Sequence, residues 1–125
     1  LMRMRRNRIQ TYYHKKRIIT KDSEGSTNEE YGTASSISGE SWPASGKAQA
    51  EQYGQRLSYI RNMRLDGKYK IRTDEKGNPH YIFEDGTDLQ ELDGICLYAD
   101  QDHKPDYKII SIKPYRFLTL EVERI

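Results

Sequence analysis

Large apolar residues alternate with polar residues along several short stretches of the chain, a period of two that is typical of half-buried β-strands. The clearest case is Phe117 to Ile125, where leucine and valine fall on one face of the strand and threonine and glutamate on the other. Strands are predicted over seven such stretches: Gln10 to Ile19, Leu57 to Leu65, Lys68 to Thr73, His80 to Glu84, Ile95 to Ala99, Tyr107 to Ile112 and Phe117 to Ile125. Their length and spacing predict a mainly β fold, a small closed antiparallel β-barrel of about six or seven strands with long loops.

One segment breaks the pattern and predicts a single short helix, inserted over residues 44–54. Lys47 to Gln52 are good helix formers, Ser45 is placed to cap the N-terminus, and Gly54 can take the left-handed conformation that ends a helix. About two turns of helix do not hold together in isolation, so this helix must dock, through its alanines, Tyr53 or the preceding tryptophan.

The segment between the first strand and the helix is unusually polar. Residues 20–40 are rich in Ser, Thr, Gly and acids, with Tyr31 and Ile37 as the only large apolar side chains. A stretch this long and polar inside a small domain is usually a functional or mobile loop. Because ordering the backbone of one residue costs about 1–2 kcal/mol, we predict a long loop that is mobile in the free protein. The alternative is that the part from Tyr31 to Ser38 pairs as a weak strand.

At 125 residues the chain is predicted to form one domain, residues 1–125, around one core. Its composition of 34% hydrophobic and 32% charged residues is polar for a self-contained globule, so little core is buried per residue. Such a chain either carries mobile segments or gains stability by assembling with others. Within the domain, residues 68–91 are predicted to form a hairpin followed by an acidic turn.

Charge is distributed unevenly, although the net charge is only +2. No acid precedes Asp22, and residues 1–8 form a basic arm that carries Arg3, Arg5, Arg6 and Arg8. Such an arm is typical of proteins that bind nucleic acid or an acidic protein surface, and we interpret it as a docking arm. A solvated terminus that favours no partner is the simpler alternative.

No catalytic or metal-binding pattern is found in the sequence. His14, His80 and His103 are widely spaced, Cys96 is the only cysteine, and no pair has the short spacing of zinc ligands. Walker loops, dinucleotide fingerprints and serine elbows are missing as well. We therefore expect a protein that is not an enzyme and that needs no cofactor and no metal ion. Since no apolar run reaches membrane length, we also expect no membrane partner. Because a single cysteine allows no internal disulfide, we expect folding in a reducing cytoplasm.

Several short motifs follow one another along the chain in a familiar order. The segment from Ser41 to Gly54, S-W-P-A-S-G-K-A-Q-A-E-Q-Y-G, resembles the S-x-A-x-G-x-A-x-x-x-x-[F/Y]-G segment of small head-completion proteins of long-tailed bacteriophages. Four later stretches are similar to successive parts of the same proteins: Gln55 to Arg61, Leu92 to Leu97, Pro105 to Ile112 and Phe117 to Ile125. Two features depart from the family: Trp42-Pro43 replaces small residues before the helix, and residues 68–91 are a longer insertion.

The resemblance implies a structural protein of the virion neck that is made in the host cytoplasm. Copies of such a protein form a ring between the portal or adaptor protein and the tail or tail-completion protein. The ring closes the DNA-filled head and provides the platform for tail attachment, and packaged double-stranded DNA passes through its channel. The implied fold is a small β-barrel with one short inserted helix and long loops. It agrees with the barrel predicted from the alternation of apolar and polar residues.

Two groups of residues, besides the basic arm, are expected to serve such a ring. The helix region is predicted to lie at a subunit boundary, through Trp42, Lys47, Gln49 and Tyr53. The alternative is that the two aromatic residues of this group cover the core of the barrel itself. Small polar residues of the 20–40 loop are predicted to face the channel, where they would let DNA pass without strong contacts: Gly32, Ser35, Ser36, Ser38 and Gly39.

A small β-barrel nucleic-acid-binding module is the alternative function. A basic arm and ten tyrosines would allow bases to stack on exposed aromatic rings, as in OB-type modules. Against this function, the basic residues do not interleave with the aromatic residues along several strands. The acidic later half of the chain would also repel phosphate.

Overall fold

The computed structural model describes residues 8–125 and shows a mainly β protein with one short α-helix in that part. The strands are β1 Gln10–Lys21, β2 Thr27–Pro43, β3 Ile60–Leu65, β4 Tyr69–Thr73, β5 Pro79–Phe83, β6 Asp88–Leu89, β7 Gly94–Cys96, β8 Tyr107–Lys113 and β9 Thr119–Arg124. The helix α1 spans Lys47–Tyr53 and runs directly into a 3₁₀ helix, Gly54–Tyr59.

Six of these strands close into a barrel in the order β1-β2-β3-β9-β8-β7, with β7 pairing back onto β1. All neighbouring strands in the barrel are antiparallel. The closing contact is short, because β1 pairs with β7 only over Tyr13 to Lys15. The predicted fold class, a small closed antiparallel barrel with one short helix, is confirmed.

The core fills the inside of the barrel and follows the alternation seen in the sequence. In the last strand and the residue before it, Leu118, Leu120 and Val122 are fully buried. The three-stranded sheet β4-β5-β6 packs against the same core through Tyr81 and Leu89. Barrel and small sheet therefore share one hydrophobic cluster.

The small sheet contains the hairpin predicted within residues 68–91. β4 and β5 pair from Tyr69↔Phe83 to Thr73↔Pro79, and the acidic turn that follows carries the short strand β6. The imidazole of His80 lies between two carboxylates, 2.9 Å from Asp74 and 2.9 Å from Asp88. Hydrogen bonds to Asp74 and then Asp88 raise the pKa of His80, and through them the imidazole links the turn between β4 and β5 to β6.

The predicted loop over residues 20–40 is wrong. β1 continues to Lys21 and β2 begins at Thr27, so only residues 22–26 form a turn. The two strands pair from Gln10↔Gly39 to Lys21↔Thr27. A strand exposed to water on both faces is held by backbone hydrogen bonds rather than by apolar side chains, which explains why its polar composition resembles that of a loop. The predicted mobility of this segment in the free protein stays a prediction.

The far part of this hairpin has no strand neighbours outside the hairpin. β2 pairs with β3 only from Gly39 onward, and β1 meets β7 only before Lys16. We call residues 17–31 the ribbon, a two-stranded element in which residues 18–30 are all exposed. Its turn is closed by the carboxylate of Asp22, which accepts hydrogen bonds from the backbone N–H groups of Glu24 and Ser26.

Two boundaries near the helix differ between the prediction and the structure. The helix predicted over residues 44–54 spans Lys47–Tyr53, and its N-cap is Gly46 rather than Ser45. Gly46 has a φ of 95°, a conformation that glycine adopts without strain. The strand predicted from Leu57 begins only at Ile60, because the helical backbone continues as the 3₁₀ helix.

The strand predicted over Ile95 to Ala99 is also shorter than expected, ending at Cys96. The carboxylate of Asp106 explains this end. It accepts hydrogen bonds from the successive backbone N–H groups of residues 97, 98 and 99, at 2.8, 3.0 and 3.3 Å. These groups are therefore satisfied by a side chain and do not continue the sheet.

Substitution of Gly39 tests how closely β2 approaches β3. This glycine is buried, and a Cβ atom added there would collide with the backbone carbonyl oxygen of Arg64. We expect Gly39→Ala to lower the free energy of unfolding by about 2 kcal/mol, as overpacking in a core does. Gly32→Ala on the same strand is the matched control, since its nearest contact would be the flexible Ile18 side chain at 3.5 Å. Urea unfolding curves measure both, and equal stabilities of the two variants would contradict the close strand approach.

Candidate assembly surface

The helix α1 lies on the outside of the barrel wall, over β3 and β9. None of its residues is buried, so an apolar face does not hold it in place. Its contacts reach Asn62 on β3 and Glu121 on β9, which are directly opposite each other in the sheet. Polar interactions therefore decide where this helix sits.

The side chain of Gln49 makes most of these polar contacts. Its amide nitrogen donates to Asn62 Oδ1 at 2.6 Å and to Glu121 Oε2 at 2.9 Å. Its carbonyl oxygen accepts from Asn62 Nδ2 at 3.2 Å and from the backbone N–H of Ser45 at 3.0 Å. One glutamine thus joins the turn before the helix to both strands below it.

Glu121 is the buried charge beneath the helix, with 1% of its surface exposed. One carboxylate oxygen accepts a hydrogen bond from Gln49. The other lies 3.3 Å from Lys113 Nζ and forms an ion pair with it, but the angles do not allow a hydrogen bond. Burial alone would raise the pKa of Glu121, but hydrogen bonds from Gln49 and Tyr53 and the charge of Lys113 lower it overall. The carboxylate therefore stays ionised under the helix.

Tyr53 and Arg56 extend this network toward the 3₁₀ helix. Burial, followed by a hydrogen bond to Glu121, raises the pKa of Tyr53 to about 12. The guanidinium of Arg56 lies 5.6 Å from the Tyr53 ring and pairs with Glu123 through two hydrogen bonds of 2.7 Å. Because Arg56 is exposed, the ion pair adds orientation more than stability.

Trp42 lies beside this network on the outer surface but makes no hydrogen bond to it within the described residues. It is opposite Asn62 in the β2–β3 pair, so its side chain covers the outer wall rather than the barrel core. It is 36% exposed, and the guanidinium of Arg64 lies 5.7 Å from its ring. Arg64 is in turn paired with Glu40. Trp42 and Arg64 line a shallow groove on this surface. Arg8, the one member of the basic arm within the described residues, is exposed and lines the groove as well.

The four residues predicted at a subunit boundary therefore divide into two groups. Gln49 bonds to both strands below the helix, and Tyr53 is half-buried beside Glu121. Lys47 and Trp42 are exposed and remain available to another molecule. Within one chain, the structure assigns a folding role only to the first two.

The residues predicted to face a channel from a loop lie on β2 instead. Ser36 and Ser38 are exposed, Gly32 and Ser35 are half-buried, and Gly39 is buried between strands. A strand in the wall of a barrel cannot serve as a flexible channel loop, so this prediction is wrong as a description of the local structure. The remaining residues of the predicted docking arm, Arg3, Arg5 and Arg6, lie outside the described residues.

One buried network was not recognised from the sequence. The carboxylate of Asp93 accepts hydrogen bonds from His14 Nε2 at 2.7 Å and from the backbone N–H groups of Arg17 and Gln90, both at 3.0 Å. Lys16 Nζ lies 3.2 Å from the same carboxylate. Burial alone would raise the pKa of Asp93, but these donors and charges lower it. In the sequence, the only sign of this network is an Asp-Gly turn.

No family model, curated protein sequence or solved structure matches this chain. Within residues 8–125, no group of three or more His, Cys, Asp or Glu side chains is arranged to hold a metal ion. The helices of that part are too short and too polar to cross a membrane.

Removing the Gln49 side chain should loosen the helix. We expect Gln49→Ala to lower the free energy of unfolding by about 1–3 kcal/mol, because it removes the hydrogen bonds from Gln49 to the buried Glu121 and to Asn62. Gln52→Ala is the matched control, since it makes the same change at an exposed position of the same helix. Chemical unfolding of both variants measures the difference. Equal stabilities would contradict the docking role of Gln49.

The same network predicts a dependence on pH. The pKa of Glu121 in the folded protein is below its ordinary value of 4.5, so its stabilising contribution is complete above that pH and is lost as the pH falls through the folded-state pKa. We expect the melting temperatures of the wild type and Glu121→Gln to differ most at neutral pH and to converge below pH 4.5. Glu51→Gln, at an exposed helix position, is the control. A difference that stays constant with pH would contradict an ionised Glu121.

Proposed function

We propose that this chain is a structural component of the neck of a long-tailed bacteriophage virion. Copies form a ring between the portal or adaptor protein and the tail, close the DNA-filled head and provide the tail attachment platform. The protein acts by assembly and performs no chemistry of its own. The observation that carries the proposal is the ribbon, which exposes apolar side chains on both of its faces.

Residues directly opposite each other in an antiparallel pair have their side chains on the same face. Ile18 and Ile19 are consecutive in β1, so they lie on opposite faces of the ribbon. Ile18 shares its face with Glu30, and Ile19 shares its face with Glu29. The two isoleucines are 42% and 43% exposed. A two-stranded ribbon is only marginally stable in water, and apolar side chains on both of its faces are typical of an element that is covered by a neighbouring molecule.

The motif shared with head-completion proteins also has a structural meaning here. Its small residues occupy positions that need them: Ala44 is buried, and Gly46 and Gly54 have positive φ at the two ends of the helix. Its aromatic position, Tyr53, is half-buried and close enough to Glu121 for that carboxylate to raise the pKa of Tyr53. The motif therefore describes how a short helix is placed on a barrel wall. These structural roles, in addition to the matching residue types, support the likeness to head-completion proteins.

The nucleic-acid-binding alternative receives less support from the charges and aromatic residues. Tyr59, Tyr98 and Tyr115 are strongly exposed, and Arg61 lies 6.0 Å from the Tyr98 ring. However, residues 18–30 of the ribbon carry one lysine against four carboxylates, which would repel phosphate. Binding of a short single-stranded DNA to the purified protein distinguishes the two functions. We expect no submicromolar binding, whereas tight binding that weakens steeply with salt would favour the alternative.

The genes beside the coding sequence provide a direct test of the proposal. A neck protein is expected to be encoded among portal, capsid and tail genes, and tagged protein is expected to co-purify with DNA-filled heads. A coding sequence that stands among metabolic genes, together with heads that fill and retain DNA without the protein, would overturn the proposal.

Trp42→Ala tests whether the outer surface beside the helix is an interface. We expect association with the particle to weaken by about 2 kcal/mol, as for an aromatic interface residue. The free energy of unfolding should fall by less than about 1 kcal/mol, because the side chain is on the outer wall. Tyr59→Ala, another exposed aromatic residue, is the control. Particle incorporation and thermal unfolding are the two measurements, and a large loss of stability with unchanged incorporation would assign Trp42 to the fold alone.

A further inference from the structure

We propose that the ribbon of one copy adds to the exposed edge of β4 in the next copy, so that copies join head to tail through a shared sheet. This inference rests on the proposed function, because both require copies to associate. It goes further by naming the two surfaces that meet, their alignment and the residues that select it.

β4 is an open edge of the small sheet. It pairs with β5 on one side only, and Lys70 to Thr73 are all exposed. Ile71 is 50% exposed although it is opposite the buried Tyr81 and so lies on the core side of the sheet. An edge strand offers unpaired backbone N–H and C=O groups to another strand, and an added strand here would also cover Ile71.

The other face of β4 is basic. Lys70 and Arg72 alternate with Ile71 and therefore lie on the side away from the core. Lys68 precedes the strand with the same alternation. The edge thus presents an apolar side chain on one face and positive charge on the other.

The β2 strand of the ribbon has the complementary pattern. Glu30 and Asn28 lie on one face, together with Ile18 and Thr20 of β1. Glu29 lies on the opposite face with Ile19. Glu29 is already paired with Arg17 at 3.1 Å and accepts from the Tyr31 hydroxyl at 2.6 Å, whereas Glu30 makes no ion pair within residues 8–125.

These two patterns select one alignment. If Glu30 lies on the face of Lys70 and Arg72, strand alternation brings Ile19 to the face of Ile71. On one side of the shared sheet, which also carries Ile18, Glu30 then faces the basic residues of β4. On the other side Ile71 and Ile19 share a face, where the charge of Glu29 is already paired with Arg17. Since the two surfaces belong to different parts of the chain, the contact is heterologous, the type of contact that forms rings when its rotation closes.

Reciprocal charge reversal tests the contact. The edge variant is Lys70→Glu with Arg72→Glu, and the ribbon variant is Asn28→Lys with Glu30→Lys. Each variant alone should associate at least about tenfold more weakly than the wild type, because its own edge and ribbon now repel. An equimolar mixture of the two should recover association, because every contact between unlike copies again joins opposite charges. Sedimentation velocity at low and high salt measures all four samples, and the attraction should weaken as salt increases.

Lys76→Glu with Arg116→Glu is the matched control, since it reverses the same number of charges at exposed positions outside β4. It should associate like the wild type. Rescue in the mixture also excludes misfolding, because a misfolded chain is not repaired by mixing. Variants that associate like the wild type, or a mixture that is not rescued, would overturn the shared sheet but leave the neck proposal standing. A wild-type chain that stays monomeric at millimolar concentration would overturn the shared sheet too, while the neck proposal would be decided separately by incorporation into heads.

Discussion

The rest of this structure depends on the hydrogen bonds that the buried carboxylate of Asp93 accepts. It lies in the turn before β7 and accepts hydrogen bonds from His14 and from the backbone of Arg17, both of β1, and from the backbone of Gln90 after the small sheet. A carboxylate taken out of water without such partners would cost several kcal/mol, so its partners have little freedom to move. The short closing contact of the barrel, the small sheet and the start of the ribbon are thereby held at one point.

That constraint decides where the ribbon begins. The register of β1 and β2 shifts between Lys15 and Arg17, at the residues that Asp93 and its neighbours hold. A bulge bends a strand and increases its twist, so the strands leave the barrel wall at a defined direction instead of continuing around it. Because a closed barrel offers no free edge, the addition of a strand from another molecule would have to use elements outside the barrel. The ribbon and the edge of β4 are elements of this kind.

The helix follows the same principle, since polar contacts and not an apolar face decide its position. Gln49 bonds to both strands below it, and Glu121 is kept ionised by Gln49, Tyr53 and Lys113. Buried polar groups are costly to leave without partners, so a network of this kind has few favourable arrangements and specifies position more sharply than hydrophobic contact does. The same contacts leave Lys47 and Trp42 on the surface, where another molecule can reach them.

The sequence by itself determined the β class, the small number of barrel strands, the β4–β5 hairpin and the existence of one short helix, because these depend on local alternation and on glycine at turns and caps. Only the tertiary structure decided the ribbon, since backbone pairing needs no apolar residue to signal it. Alternation along β9 also assigned Glu121 to the solvent face, yet it is buried, because a helix distant in sequence lies over it. Asp93 is a comparable case: two of its partners, His14 and Arg17, lie more than seventy residues away along the chain, so its sequence neighbours could not reveal that an Asp-Gly turn is the centre of the fold.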